Sequence, residues 1–184
     1  MKSNESEIIA YMMDKKTQEK GLKMMMDAYQ SKLYWHIKRL VVHHEICQDV
    51  LQDTFIKAFQ SFALFKQESK LYTWLYRIAT NEALQQLNKQ NKMKMVDEEA
   101  GTYLTNTQSD TENDEDKIQK ILYDAIHLLP EKQKLVFNLR YYDDLPYEEI
   151  SKILDMSVGT LKTNYHYAKQ KIEDYIKENS ENLI

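Results

Sequence analysis

The chain has 184 residues, of which 42% are hydrophobic and 29% are charged, with three glycines, two prolines and one cysteine. A single cysteine cannot form an intramolecular disulfide, which excludes a disulfide-stabilised secreted scaffold and favours a reducing compartment. No apolar run approaches the roughly 18 residues of a membrane span, and residues 1–8 lack the basic-then-apolar pattern of a signal peptide. Glycine and proline fall well below the roughly twenty expected at this length, so we expect a mostly helical, cytoplasmic protein without membrane insertion.

The formal net charge of -4 comes from one acidic segment. Residues 97–117 hold eight of the 29 acidic side chains and one of the 25 basic ones, which leaves a balance of +3 in the rest of the chain. Polar residues without a helical apolar period extend over residues 90–116, as is typical of a linker. The overall acidity therefore does not exclude a nucleic-acid partner.

Three helical patterns occupy the first ninety residues. Apolar side chains recur at helical spacing within 29–40, 51–62 and 71–87, and residues 65–70 interrupt them. This spacing predicts three helices on one core, with a loop before the third. The second helix carries three polar residues on its outer side, Asp49, Gln52 and Asp53. The outer side of the third helix has a large aromatic residue among polar ones: Trp74, Arg77, Asn81, Gln85 and Asn88.

These two outer faces each have two interpretations. The acidic and amide face of the second helix suits docking to a basic partner, although a solvated helix face has the same composition. An aromatic ring, a guanidinium and an amide that follow a lysine-containing loop are the mixture that binds single-stranded nucleic acid. Aromatic residues at helical spacing are also common in cores, so packing is the alternative for Trp74.

Four shorter helical patterns follow in the last seventy residues. An apolar stripe that includes Ile118 and Leu128 predicts a helix that ends at Pro130, and Tyr142 completes the inward stripe of the next helix. Glu148 and Glu149 then suit the positive end of a third helix dipole. The fourth helix begins after a turn of three residues, which predicts a helix-turn-helix.

The helix-turn-helix has the features of a DNA-binding module. Ser157 is placed as the N-cap of its second helix, and Asp155 lies in the turn, where aspartate tolerates a left-handed backbone. The outer face of that helix has groups that reach base edges and phosphates in a major groove: Lys162, Thr163, His166, Lys169 and Gln170. An ordinary helical hairpin with a solvated basic face is the alternative.

The sequence gives little support for a catalytic or metal site. His43, His44, Glu45 and Cys47 resemble metal ligands only superficially, because adjacent histidines point to different sides of a helix and no second cluster completes a tetrahedral set. The sequence also lacks a phosphate-binding glycine loop and a nucleophile elbow. We therefore expect a protein that is not an enzyme and needs no cofactor or metal.

Two stretches of the chain resemble bacterial RNA polymerase sigma factors of the extracytoplasmic-function (ECF) group. Residues 49–55 and 72–81 are similar to region two of that family, and residues 129–137, 147–154 and 157–162 are similar to its region four. The resemblance implies an all-α protein with two small helical domains joined by a flexible acidic linker. It divides the chain into an N-terminal extension (1–23), region two (24–95), the linker (96–116), region four (117–178) and a tail (179–184).

The resemblance also implies a role for each exposed surface. Polymerase binding would use Asp49, Gln52 and Asp53 against the β′ clamp helices, since carboxylates suit a partner rich in arginine. Binding of the minus-ten promoter element, where family members capture a flipped base, would use Lys66, Lys70, Trp74, Arg77 and Asn81. Binding of the minus-thirty-five duplex would use Ser157, Thr160, Lys162, Thr163, Asn164, His166 and Lys169. The β flap and an anti-sigma factor are further candidate partners, and the linker would lie in the RNA path of the polymerase.

Two other functions compete with this hypothesis. One is a stand-alone helix-turn-helix regulator that never joins polymerase, and the other is a metal-dependent helical hydrolase that uses His43, His44 and Glu45. Charge reversal on the outer face of the second helix distinguishes a sigma factor from a stand-alone regulator. In a sigma factor the change abolishes polymerase binding and spares isolated DNA contacts. Metal analysis of the purified protein tests the second.

Overall fold

The computed structural model describes residues 5–41, 44–99 and 114–180. Within these ranges the chain forms eight α-helices and no strand, which confirms the all-α prediction. A short 3-10 helix, Phe62–Leu64, continues the third helix. The α-helices are α1 (Glu5–Met13), α2 (Gln18–Leu40), α3 (His44–Ser61), α4 (Leu71–Glu99), α5 (Asp114–His127), α6 (Glu131–Tyr141), α7 (Tyr147–Leu154) and α8 (Val158–Ser180).

The N-terminal unit consists of α1 to α4, and its core follows the predicted apolar stripes. Phe55 and Ala58 of α3 and Leu71, Leu75 and Ala79 of α4 are buried. Burial of a full apolar side chain stabilises a fold by about 1.5–3 kcal/mol, so this shared stripe fixes how α3 and α4 face each other. Residues 65–70 form the expected loop between them.

Helix α1 belongs to the same core, although the family resemblance places it in an N-terminal extension. Ile8 and Met12 are buried against α2. The two helices approach closely at Gly21, where an added Cβ would lie 2.7 Å from the backbone nitrogen of Met12. The Glu5 carboxylate accepts a hydrogen bond of 2.6 Å from the backbone N–H of Leu71. Helix α1 thereby holds the start of α4.

The C-terminal unit consists of α5 to α8 and contains the predicted helix-turn-helix. Helix α7 ends at Asp155, whose left-handed backbone (φ 53°, ψ 48°) makes the turn. The Ser157 hydroxyl accepts a hydrogen bond of 3.1 Å from the backbone N–H of Thr160, which is the geometry of an N-cap. Both expectations for the turn are therefore confirmed.

Three apolar residues that the spacing directs inward are exposed instead. The exposed fractions are 58% for Ile118, 69% for Leu128 and 43% for Tyr142. Leu128 lies in the turn just after α5, and the residue near the end of that helix that is buried in the cluster with α8 is Ile126. Tyr142 lies just after α6, beyond the buried stripe of that helix.

The two units pack against each other, with α2 and α4 on one side and α6 and α7 on the other. Val136, Leu139 and Ile150 belong to the same buried cluster as the N-terminal core. Glu149 lies in the first turn of α7 as predicted, but it is buried at this contact and accepts a hydrogen bond of 2.6 Å from the Thr73 hydroxyl. Apolar and polar contacts therefore both cross the boundary.

The boundaries of the predicted linker differ from those of the helices. Helix α4 runs to Glu99 and α5 begins at Asp114, so helices enter both ends of the predicted 96–116 segment. Residues 100–113 lie outside the described residues, as do residues 1–4 and 181–184, so the expected role of the linker stays a prediction. In the described parts of the chain, no helix is long and apolar enough to cross a membrane.

Candidate functional site

The predicted polymerase-binding residues lie together on α3. Asp49, Gln52 and Asp53 are all exposed, one helical turn or less apart. Among the described residues, neither carboxylate forms an ion pair, so both charges are available to a partner. The opposite side of the helix is buried through Val50 and Phe55, which fixes the direction in which the polar face points.

An apolar groove of about 350 Å³ lies beside this face, between α2 and α3. Gln52 stands at its edge, and the partly exposed Met26 and Ile56 line it. Leu22 and Phe59 complete its apolar wall. The sequence patterns did not identify this groove, because its residues come from two helices. The sequence feature that could have revealed the groove is Ile56, an apolar residue outside the buried stripe of α3.

The predicted minus-ten residues lie on the loop 65–70 and on one side of α4. Lys66, Lys70, Arg77 and Asn81 are exposed, and the Lys70 ammonium lies 5.5 Å from the centre of the Tyr72 ring. The loop turns through Gln67, whose φ of 57° is left-handed. Cations from the loop and polar groups from the helix therefore share one surface.

Trp74 has a structural role beside its predicted one. Its ring centre lies 5.7 Å from that of Phe62 and 5.2 Å from that of Phe65, and the side chain is half-buried. The Trp74 side chain therefore packs in the aromatic cluster and is also partly exposed. The aromatic cluster connects the end of α3, the start of the loop and α4, so Trp74 supports the surface on which Arg77 and Asn81 stand.

A shallow cleft of about 390 Å³ opens beside Asn81, between the end of α3 and α4. Leu64 and Ile78 give it apolar walls, and Ser61 and Gln85 add polar groups. Leu64 is 76% exposed. A planar group that left a base stack would find apolar contact and hydrogen-bonding partners here.

The predicted minus-thirty-five residues lie along the outer face of α8. Six of them are exposed and Asn164 is half-buried; the exposed ones are Ser157, Thr160, Lys162, Thr163, His166 and Lys169. The inner face of the helix is buried through Leu161, Ala168 and Ile172. The basic and polar face is therefore held in one direction, as a recognition helix requires.

Two of these side chains bond to the backbone of their own helix. The Thr163 hydroxyl donates to the carbonyl of Gly159 (3.1 Å), and the Asn164 amide donates to the carbonyl of Thr160 (2.9 Å). The Thr163 hydroxyl must release this bond before it can donate to a base, whereas Asn164 keeps a second amide hydrogen and its Oδ1 acceptor. Within the described residues, Lys162 and His166 make no such bond, and the Lys162 ammonium lies 5.9 Å from the centre of the Tyr147 ring.

The metal-ligand hypothesis gains no support from the described residues, among which no group of three His, Cys, Asp or Glu side chains could hold a metal ion. His43 lies outside those residues, and Glu45 is exposed. Cys47 is buried, and burial raises the pKa of its thiol. A raised thiol pKa disfavours the thiolate that binds metals.

Comparison with known proteins gives two matches to family models and several relatives. Residues 25–93 match the model for sigma-70 region 2, and residues 119–172 match the model for sigma-70, region 4. The chain is 36% identical over 171 residues to the ECF RNA polymerase sigma-E factor of Haemophilus influenzae, which covers 86% of this chain and 89% of that protein.

Two solved structures have a similar fold. The sigma factor RpoE in complex with the anti-sigma factor NepR from Bartonella quintana has a TM-score of 0.68 at 22% identity, covering 85% of this chain and 97% of that one. CnrH in complex with the cytosolic domain of CnrY has a TM-score of 0.68 at 13% identity, covering 96% of each chain. With both sigma regions in order and a relative that spans most of its length, the chain belongs to the ECF group of bacterial RNA polymerase sigma factors, which direct RNA polymerase to promoters.

Proposed function

We propose that this sigma factor binds core RNA polymerase through the exposed face of α3 and the groove beside it. Asp49 and Asp53 supply two unpaired carboxylates, and Gln52 supplies an amide between them. These groups suit arginines on the β′ clamp helices, because charge-assisted hydrogen bonds to guanidinium are short and strong. The apolar groove of about 350 Å³ gives the same partner helices a place to bury apolar side chains.

The minus-ten element would bind on the loop 65–70 and the exposed side of α4. The exposed Lys66 and Lys70 would contact phosphates, and the exposed Arg77 and Asn81 would contact base edges. Capture of a flipped base costs a few kcal/mol of unstacking, and the cleft beside Asn81 offers contacts that offset this cost. The adjacent Trp74 cluster packs behind this surface.

The minus-thirty-five element would bind as duplex on the outer face of α8. Lys162 and Lys169 would contact phosphates, while Thr163, Asn164 and His166 would face base edges. The single observation that best supports the whole proposal is that the three predicted residue sets fall on three separate exposed surfaces, each fixed by a buried stripe behind it.

We further propose that the protein catalyses no reaction itself and acts in the cytoplasm, where RNA polymerase works. The structural neighbours RpoE and CnrH were solved with the anti-sigma factor NepR and with the cytosolic domain of CnrY. A protein of the anti-sigma kind is therefore the further partner that we propose, and it would act by covering one of the three surfaces. The exposed Ile118 of α5 and Leu128 in the turn after it are candidates for contact with the β flap.

Reconstitution with core polymerase and run-off transcription on genomic DNA tests the function. We expect transcripts that start at discrete promoters only when the protein is added. Absence of promoter-specific initiation, with a polymerase that is active with another sigma factor, would overturn the proposal.

Charge reversal tests the polymerase surface. We expect Asp49→Arg combined with Asp53→Arg to abolish core binding, because two like-charged partners would then face each other. A matched control is Asp174→Arg with Glu178→Arg, which reverses two exposed acids at the same helical spacing on α8. Binding is measured by co-migration with core polymerase. A stand-alone DNA-binding regulator would show no difference between the two variants.

A further inference from the structure

A hydrogen bond between distant parts of the sequence completes the start of α4. The backbone N–H of Leu71, the first residue of this helix, donates to the Glu5 carboxylate at 2.6 Å. The first N–H groups of a helix have no acceptor within that helix and need one from elsewhere. Leu71 is fully buried, so bulk water does not reach its N–H. The acceptor comes instead from α1, 66 positions earlier in the chain.

The residue just before α4 does not provide a cap of its own. The Lys70 carbonyl accepts the first helical hydrogen bond, from the Trp74 N–H at 3.2 Å, which places Lys70 at the N-cap position. Helices favour Ser, Thr, Asp or Asn there, because those side chains accept a hydrogen bond from the first turn. A lysine side chain only donates. The Glu5 carboxylate therefore supplies an acceptor that the N-cap side chain cannot.

Helix α2 holds the Glu5 side chain in place. The Tyr29 hydroxyl donates a hydrogen bond to it. Burial, followed by the charge of Glu5 and this hydrogen bond, raises the pKa of Tyr29 to about 12, so the hydroxyl stays a donor. Glu5 belongs to α1 and accepts from both α2 and α4. The position of its carboxylate is thus fixed by two other helices.

The loop before α4 is anchored at both of its ends. At its start, the Phe65 side chain is buried in the aromatic cluster. At its end, the Leu71 N–H is bound by Glu5. The exposed Lys66 and Lys70 lie between these two anchors. Loss of the Glu5 bond would leave the loop anchored firmly only at its start.

We propose that Glu5 is a positioning residue for the minus-ten surface, which fixes the end of the loop and the start of α4 through the Leu71 N–H. This inference rests on the proposed function of that surface. In this role Glu5 acts through the loop, and the exposed side chains of the loop and of α4 contact the DNA. A loop that is fixed before DNA arrives loses less conformational freedom on binding. Removal of the bond should therefore weaken binding of minus-ten DNA.

A series of substitutions at Glu5 separates positioning from charge. Glu5→Gln removes the charge and keeps an oxygen that accepts hydrogen bonds, whereas Glu5→Ala removes both. Positioning predicts that affinity for single-stranded minus-ten DNA falls slightly in Glu5→Gln and further in Glu5→Ala. The loss in Glu5→Ala should reach about tenfold, the factor expected for one hydrogen bond to a charged group. Charge alone predicts the opposite sign, because removal of an acid near DNA strengthens binding equally in both variants.

Glu7 provides a matched control. It is the other acid in the first turn of α1, and it is exposed. Glu7→Gln and Glu7→Ala make the same changes to the charge of α1 and should not weaken minus-ten binding. Val50→Ala removes buried apolar contacts of α3 in the same unit, so it controls for loss of stability alone. Binding of minus-thirty-five duplex should be the same in all of these variants.

Hydrogen exchange in the full chain tests the bond without DNA. The Leu71 amide should be protected in the unchanged chain, lose that protection in Glu5→Ala and keep it in both Glu7 variants. Unchanged protection of Leu71 in Glu5→Ala would overturn the proposal. Minus-ten binding that stays as tight in Glu5→Ala, or that weakens equally in Val50→Ala, would overturn it as well. If the unchanged chain binds no minus-ten DNA, the proposed function of that surface fails, and the exchange measurement still decides whether Glu5 holds Leu71.

Discussion

The two units present their proposed nucleic-acid surfaces in different ways. Helix α8 is buried along one stripe, through Leu161 and Ala168, and the rest of its surface is open. Helix α4 is buried along two stripes: Leu75 and Ala79 face the core of its own unit, while Thr73 meets Glu149 of the other unit. The exposed face of α4 is therefore held from two sides, and one of those sides depends on the docking of the units.

This difference suits the two forms of DNA that the surfaces are proposed to bind. A recognition helix that enters a duplex needs a wide exposed face. Capture of an unstacked base needs a rigid surface with cleft-like features. The first requirement fits α8, and the second fits α4 with its aromatic cluster. The following predictions test this contrast, from the largest expected effect to the smallest.

Gly21→Ala should destabilise the N-terminal unit strongly. The added Cβ would lie 2.7 Å from the Met12 backbone nitrogen and 2.9 Å from its side chain, so α1 and α2 must move apart. Overpacking of this kind costs about 1–3 kcal/mol, and more where backbone must shift. Denaturant unfolding measures the loss. An unchanged unfolding midpoint would contradict the close approach of the two helices.

Thr73→Val should weaken docking of the units without disrupting either one. The substitution leaves the buried Glu149 carboxylate without its 2.6 Å hydrogen bond, which costs about 1–3 kcal/mol. A double-mutant cycle with Glu149→Gln should give a coupling energy of at least about 0.5 kcal/mol. Docking is read by energy transfer between dyes on two exposed positions, Ala63→Cys in the N-terminal unit and Gln170→Cys in the C-terminal unit. Strictly additive effects would indicate that the two side chains do not interact across the boundary.

Lys66→Ala and Lys162→Ala should affect different DNA forms. Loss of Lys162 should weaken binding to minus-thirty-five duplex and reduce the salt slope by about 0.9, and loss of Lys66 should reduce the slope for single-stranded minus-ten DNA by about 0.7. Binding titrations at several salt concentrations measure both. If each variant weakened binding to both DNA forms equally, the proposal that Lys66 and Lys162 contact different promoter elements would be wrong.

Gly159→Ala should slightly stabilise the C-terminal unit. Gly159 is helical and exposed, and an added Cβ would meet only the Ser157 hydroxyl, at 3.8 Å. Alanine is favoured over glycine in helices by up to about 1 kcal/mol. Thermal unfolding should show a small increase in midpoint, opposite in sign to the effect of Gly21→Ala. A decrease would show that the N-terminal turn of α8 is more crowded than its contacts indicate.

Local spacing predicts most of the fold, because helix periodicity reports which side of a helix is buried. It correctly gives the buried faces of α3 and α4, the turn at Asp155 and the N-cap at Ser157. It is wrong at Ile118, which is exposed near the start of α5, and at Leu128, because the helix ends at His127, before that residue.

Long-range polar contacts lie beyond what spacing can predict. His36 and Asp143 are 107 positions apart, and no local pattern marks either of them as a partner of the other. Thr73 and Glu149 have polar side chains that periodicity assigns to solvent, yet both are buried by the packing of one unit on the other. Spacing does not reveal the apolar groove between α2 and α3 either, because its residues come from two helices and meet only in the folded unit.

The hydrogen bond from Leu71 to Glu5 has a consequence for how the protein folds during its synthesis. Glu5 leaves the ribosome 66 residues before its partner, and the α1–α2 pair can form early because its contacts are local. Residues 65–70 and the start of α4 are synthesised later than α1 and α2. A nascent chain can therefore complete the proposed minus-ten surface on a helical pair that packs through Ile8 and Met12.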